Sequence, residues 1–424
     1  MTASLESPDL SLFNANTFQL SNGLTIIHQH LSATSVVVAD IWVKAGATAE
    51  PEEWSGMAHF LEHMIFKGSP QVMVGEFDWL VENTGGIANA ATSYDYAHYY
   101  LTTTALHLEQ TLSCLADMLL RAHIPDEEFI REREVVLEEI LASNDDPDFL
   151  GFQALYQNTY QHHPYRRSIL GEKELLLNHT PNQMRCFHRT HYQPENMTVV
   201  IVGNIEQEKT LALVNQNFSN FSVPSECPPV TPIRESRSDT IRRQELYLPR
   251  LEQARLLMAW ICPGSGNLTA AIALDLLALV LIGGRSSGLV RELREERQLV
   301  LDIDCELSLQ KDSSMFTVAA LLETEQLPLV EQLICDRLEL LRQRLIPDVE
   351  LNRAKRQLIN DYIFSTETPN QLASIYGFYN IMATAAHSAL YPQIIRRLQP
   401  EQLQAIAKRH LLPQSYAITI LKPH

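Results

Sequence analysis

At 424 residues, 45% of them hydrophobic, the chain is long enough to bury more than one core and too apolar to be disordered. Its net charge of −18 excludes a nucleic-acid surface and a basic membrane-binding face, since both need clustered Lys and Arg. Six cysteines without a C-x-x-C pair suit free thiols in a reducing compartment, and Met1–Leu10 has neither a basic segment nor an apolar core, so a cytoplasmic location is expected.

The first strong element in chain order is an alternating strand over Ser35–Ala45. After it comes His59-Phe60-Leu61-Glu62-His63, bounded by the apolar flanks Met57-Ala58 and Met64-Ile65-Phe66 and stopped at Gly68. At about 100° per residue, His59 and His63 stand one above the other on a helix, with Glu62 beside them. Two neutral imidazoles so placed can reach one zinc ion, and an unligated carboxylate next to them can take a proton from the metal's water. The order H-x-x-E-H is the inverse of the commoner H-E-x-x-H.

Two histidines do not complete a catalytic zinc site, so a third ligand is expected on another helix. Ile124–Ile140 reads as one, with Pro125 and acidic residues in its first turn and Phe129, Val136 and Ile140 at helical spacing. Glu132 and Glu139, seven residues apart, share a face of it, whereas Glu138 points elsewhere. His162 and His163 diverge too far as neighbours to chelate one ion and read as structural.

Asn217–Ser238 is rich in Ser and Pro, including Pro224, Pro228, Pro229 and Pro232, and reads as a linker. Leu268–Ile282 is the longest apolar run; it contains Thr269 and Asp275, is too short to span a bilayer, and is expected to be a core helix. Beyond it, Ile346-Pro347-Asp348 repeats Ile124-Pro125-Asp126 at an offset of 347 − 125 = 222. The division expected is therefore 1–216, linker 217–238 and a homologous unit 239–424. With that offset His59, Glu62 and His63 fall near Leu281, Gly284 and Arg285, and Glu132 and Glu139 fall on Ala354 and Asp361, so the second unit cannot rebuild the zinc site. Each unit is expected to be α+β, a mostly antiparallel sheet covered by helices.

The chain resembles the pitrilysin/insulinase family of zinc peptidases, and within it the branch of the mitochondrial processing peptidase β-subunit and bacterial processing-type proteases. H-x-x-E-H is followed 76 residues after His63 by Glu139, which ends a Glu132-Arg133-Glu134-Val135-Val136-Leu137-Glu138-Glu139 stretch similar to the family's E-R-x-V-x-x-x-E. Asn22–Ile27 and Lys44–Glu50, Thr84–Asp95 with its G-G-x-x-N-A-x-T pattern, His163-Pro164-Tyr165 with Leu170-Gly171, and Tyr192–Gly203 resemble further family segments in order. Arg166 stands where the family usually has Gly. The resemblance implies one Zn2+ per chain on His59, His63 and Glu139, Glu62 as general base, and Glu132 supporting the site. It also implies that the strand at Asn89 and Ala90 holds an extended peptide by main-chain hydrogen bonds.

It further implies two homologous domains per chain that pair with a second chain to enclose a chamber. One departure matters. The family's second half supplies an Arg and a Tyr seven residues apart; here Arg294 is kept, but Leu301 stands at the Tyr position. A homologous subunit supplying the Arg/Tyr pair is therefore expected, with a homodimer as the alternative. A non-catalytic scaffold or peptide-binding subunit is the competing reading.

Overall fold

Alternation and apolar runs become eleven strands in two sheets in a computed structural model that describes residues 14–228, 230, 233 and 235–423. Met1–Leu10 and the linker residues Pro229 and Pro232 lie outside the described residues. The first half contributes β1 (Asn16–Gln19), β2 (Thr25–His30), β3 (Val36–Val43), β4 (Ile87–Thr92), β5 (Ala97–Thr104) and β6 (Met197–Gly203). Its helices are α1 (Met57–Ile65), α2 (Glu76–Asn83), α3 (Leu108–Leu120), α4 (Asp126–Ser143), α5 (Pro147–Thr159), α6 (Lys173–Leu176), α7 (Pro181–His191) and α8 (Gln207–Asn217). The second half contributes β7 (Arg242–Tyr247), β8 (Ala254–Pro263), β9 (Asp302–Ser308), β10 (Ser313–Leu322) and β11 (Ala417–Lys422). Its helices are α9 (Leu268–Ile282), α10 (Leu327–Gln343), α11 (Asp348–Phe364), α12 (Pro369–Met382), α13 (His387–Arg397) and α14 (Pro400–His410).

The first sheet runs β1-β2-β6-β3-β5-β4 and the second β7-β11-β8-β10-β9. Leaving out β1, the two orders are the same path traced twice. In each sheet one pair is parallel, β2 with β6 and β7 with β11, and the remaining pairs are antiparallel. The fold is thus α+β, two sheets covered by helices. Central β6 is buried at every position and reads MTVVIVG, an unbroken apolar run, because helices cover both of its faces. By contrast β4 lies at an edge and alternates exposed with half-buried residues.

Equivalent helices keep the 222-residue shift: 348 − 126 for α4 and α11, and 369 − 147 for α5 and α12. At the strands preceding the site it is smaller, 254 − 36 = 218 for β3 and β8. Leu281 accordingly sits in the last turn of α9, with Gly284 and Arg285 beyond its end. Helix α9 contains no histidine and is buried in the second core, the place its composition foretold. Ser265–Ile282 is long and apolar enough by composition to cross a membrane, but most of it is covered by protein.

One helix crosses between the halves in each direction. Helix α5 packs on β7, β8 and β11 of the second sheet, with Leu155 buried among Leu257, Ala259, Ala417 and Leu421. Helix α12 packs on β3 and β6 of the first sheet, with Tyr376 and Ala373 against Trp42, Val38, Val200 and Val202. Since α5 and α12 are themselves equivalent, the exchange is reciprocal. Gly377 lets α12 lie flush on the sheet, because a Cβ there would fall 2.0 Å from the Trp42 indole nitrogen.

Candidate metal centre

Helix α1 presents the site, and its start is held from three sides. Gly56 precedes it at φ +87°. In place of an N-cap side chain, the fully buried Glu50 carboxylate accepts the N–H groups of Gly56 at 3.0 Å and Ala58 at 2.8 Å. Burial pushes the Glu50 carboxyl up to about 8, against those two donors and the nearby Arg167 guanidinium. Arg167 in turn donates to the carbonyls of Ala47 and Glu50. Gly56 also touches Gly171, itself at φ +84°; a Cβ on either would lie 2.7 Å from the other's Cα. The Leu170-Gly171 segment is therefore a backbone buttress for α1 that only two glycines permit.

Helix α4 crosses α1 with the Phe129 ring tilted against Phe60, ring centroids 4.6 Å apart. Its inward stripe carries Phe129, Glu132 and Val136, all buried, with Glu139 half-buried one step further on. This brings the Glu139 carboxylate to 3.5 Å from His59 Nε2 and 3.5 Å from His63 Nε2. One ligand atom from each of the three residues lies within 4.8 Å of the others. A tetrahedral zinc ion with bonds of about 2.0–2.1 Å separates neighbouring ligand atoms by roughly 3.3 Å, so the group is spaced to close on such an ion.

The protonation state of His59 suits the same chemistry. Burial, helped by His63, lowers His59 to about 4, leaving its ring neutral with a lone pair to donate. For His63, burial pulls down, but the hydrogen bond its ring donates to Glu132 and the charges of Glu139, Glu132 and Glu62 outweigh it and raise the pKa. His63 Nδ1 lies 3.0 Å from Glu132 Oε1, which turns Nε2 toward Glu139. Lys67 Nζ is 2.7 Å from the other Glu132 oxygen. Burial raises Glu132, but its bonds to His63 and Lys67 prevail and hold it low. Glu132 thus orients the His63 ring rather than joining the cluster. His59 Nδ1 is buried without such a partner.

Glu62 lies beside this cluster. Thr92 Oγ1, on edge strand β4, donates to Glu62 Oε2 at 2.6 Å. Burial raises the Glu62 pKa, opposed by Thr92 and by the charge of His63. Asn89 and Ala90 fall on the same edge strand, where Asn89 Oδ1 accepts the Ala90 N–H at 2.9 Å. Arg294 lies in the π-helix Val290–Glu296 and pairs with Glu295 and Asp302 of its own half. Leu301 is 56% exposed just ahead of β9, the counterpart of β4. His163 is structural, buried with its Nε2 3.1 Å from Asp312.

Sequence reasoning missed Glu50 and the service Thr92 gives to Glu62. Glu50 lies seven residues before the first residue of the helix it caps, outside any capping pattern. Thr92 lay within a recognised segment, but its contact spans 30 residues.

Comparisons with known proteins bear on these groups. The family described as "Insulinase (Peptidase family M16)" matches residues 25–173, and that described as "Peptidase M16 inactive domain" matches residues 178–358. An uncharacterized zinc protease of Mycobacterium leprae is 30% identical over 412 residues, covering 96% of this chain and 91% of the relative. The zinc protease PqqE of Helicobacter pylori is 27% identical over 408 residues, with 95% and 92% covered. A crystal structure of a protease from Helicobacter pylori superimposes with a TM-score of 0.89 at 27% identity, covering 96% of this chain and 99% of that one.

Proposed function

Because this chain belongs to the insulinase-type M16 peptidase family, we propose that it is a zinc metalloendopeptidase acting on peptides or unfolded segments, with one zinc ion on His59, His63 and Glu139. The observation that carries this reading is the convergence of those three ligand groups, with the Glu62 carboxylate beside them and a free sheet edge alongside. When bound, zinc would supply an acidified water and polarise the scissile carbonyl. Everything else falls to the chain itself. An extended peptide pairs along β4, in the strand-addition manner that reads backbone rather than side chains. Asn89 then turns from the Ala90 N–H and frees that donor for a peptide carbonyl. Glu62 takes a proton on its carboxylate, steadied by Thr92 at Oε2, and returns it to the departing amine. Glu132 keeps the His63 ring in its working tautomer.

The Arg294 pairing and the exposed Leu301 support a second part of the proposal, that a homologous subunit completes the substrate chamber and donates the hydroxyl absent here. A homodimer is the alternative. The competing role, a scaffold that binds peptide without cutting it, is separated by Glu62→Gln in the zinc-loaded chain. Hydrolysis of an unstructured peptide is expected to fall by roughly 10²–10⁴-fold with zinc content unchanged. Equal turnover in the variant, or none in the unaltered protein with or without a partner subunit, sinks the enzymatic reading. Full activity of the chain purified alone removes the need for a distinct partner.

A further inference from the structure

We propose that Cys186 and Cys227 form a redox site, a dithiol that closes to a disulfide and ties the segment joining the two halves to helix α7. Their sulfur atoms lie 3.1 Å apart, one on α7 and the other in the linker, and both residues are half-buried. A disulfide needs about 2.05 Å, so closure asks the sulfurs to approach by roughly 1 Å.

The approach is prepared by the backbone rather than left to a wandering loop. Thr190 Oγ1 on α7 donates to Ser225 O at 2.7 Å, and Gln193 Nε2 donates to Ser222 O at 3.1 Å. Ser222 Oγ donates to Leu120 O at 3.3 Å, and Cys186 Sγ reaches Glu226 O at 3.7 Å. The linker from Ser222 to Cys227 is thus laid along α7 and the end of α3. Of the other cysteines, Cys262, Cys305 and Cys335 are buried in the second half, and Cys114 is on α3. Cys186 and Cys227 are therefore the pair placed to react with each other.

The oxidant is a low-molecular-weight disulfide. The Cys186 thiolate attacks one of its sulfurs, breaking that S–S bond, and the released thiolate takes up a proton. Cys227 then gives up its proton and attacks the Cys186 sulfur, expelling a second small thiol. Two protein thiols lose two electrons, and one small disulfide becomes two small thiols. Burial pushes the Cys227 thiol up to about 12, which favours Cys186 as the first nucleophile and Cys227 as the resolving one.

Closing the bond makes a loop of 227 − 186 = 41 residues that contains β6 and α8. Helix α7 also packs on α1, with Met184 and Phe187 in the same core as Met57 and Phe60. The bond would therefore fix the exit of the linker and stiffen the support of α1, independently of what α1 binds.

The test is to equilibrate the full chain with oxidised or reduced glutathione, alkylate the remaining thiols and map the peptides. The expected result is a Cys186–Cys227 cross-link with the other four cysteines alkylated, reversed by a dithiol reductant. The unfolding midpoint of the oxidised chain should rise by about 5 °C, and Cys186→Ser or Cys227→Ser should abolish the rise. Both thiols remaining free in oxidised buffer, or carrying only mixed disulfides with glutathione, overturns the proposal. The mapping uses the unaltered chain, so it decides the matter even where a serine variant folds poorly.

Discussion

The two halves run the same path through five equivalent strands, yet among the described residues only the first half has a helix whose side chains join a cluster that could hold a metal. Where the first half places α1, short and carrying His59, Glu62 and His63, the second places α9, fifteen residues with an almost wholly apolar surface. The sheet does not need the polar trio: α9 fills the corresponding layer with Ile272, Leu276, Leu277 and Val280, all buried in the second core. Conversely, α1 accepts polar groups in its buried stretch because α4 meets them with Glu132 and Glu139. The second half's equivalent positions on α11 are Ala354, packed in the core, and Asp361, exposed at the surface. The lesson is that ligand and supporting residues are a replaceable insert in a layer that packs without them.

The comparison breaks most completely if the insert is removed. His59→Ala takes away one of the three proposed ligands, so bound zinc and peptide hydrolysis should vanish together while the far-ultraviolet circular dichroism stays unchanged. Unfolding of the variant would mean that α1 needs its histidine for packing, as α9 needs its leucines. A smaller effect is expected from Glu132→Gln, which keeps the shape but weakens the hold on His63. Zinc affinity should drop by roughly 10–100-fold, read by competition with a chelator, and an unchanged affinity would make Glu132 a mere partner of Lys67.

The reciprocal helices offer a sharper, structural version of the same comparison. Gly377→Ala drives a methyl into the Trp42 indole and should destabilise the chain by about 2–3 kcal/mol, measured by denaturant unfolding. Gly151→Ala, on the equivalent α5, meets instead the end of the Leu257 side chain at 2.8 Å. That end can rotate away, so a cost of about 1 kcal/mol or less is expected. Equal costs would show that the two crossings are packed alike after all.

The smallest effect is a difference in acid tolerance. His179, His188 and His191 in the first half, and His410 in the second, are held neutral by burial, each lowered from 6.5 to about 4. Between those values the unfolded chain binds protons that the folded one does not. Stability is therefore complete above about 6.5 and is lost as the pH falls toward 4. With His59 adding a fourth such residue to the first half against one in the second, the first half should soften first, seen as earlier hydrogen exchange in α7 than in α14 in acid-titrated, metal-free protein. Simultaneous loss would indicate that the exchanged helices bind the halves into one cooperative unit.

How much of this was legible varied by residue. The placement of His59, Glu62 and His63 on one face followed from helical spacing alone, and so did the shared face of Glu132 and Glu139. Which of the two glutamates would meet the histidines did not follow, since both stand on the inward side of α4. The 3.5 Å approach of Glu139 and the 3.0 Å bond of Glu132 come from how α4 crosses α1. Arg294 was legible only by resemblance, and its ion pairs keep it within its own half.

The sequence by itself determined the element types, the doubled plan and the chemistry available to α1, because local spacing dictates which side chains share a face. Tertiary structure alone decided the capping of α1 by Glu50, the Gly56–Gly171 buttress and the Thr92 hydrogen bond to Glu62. It also decided that α5 and α12 trade sheets. Each of these depends on groups distant along the chain, and neither periodicity nor propensity carries information about which distant surface a helix will cover.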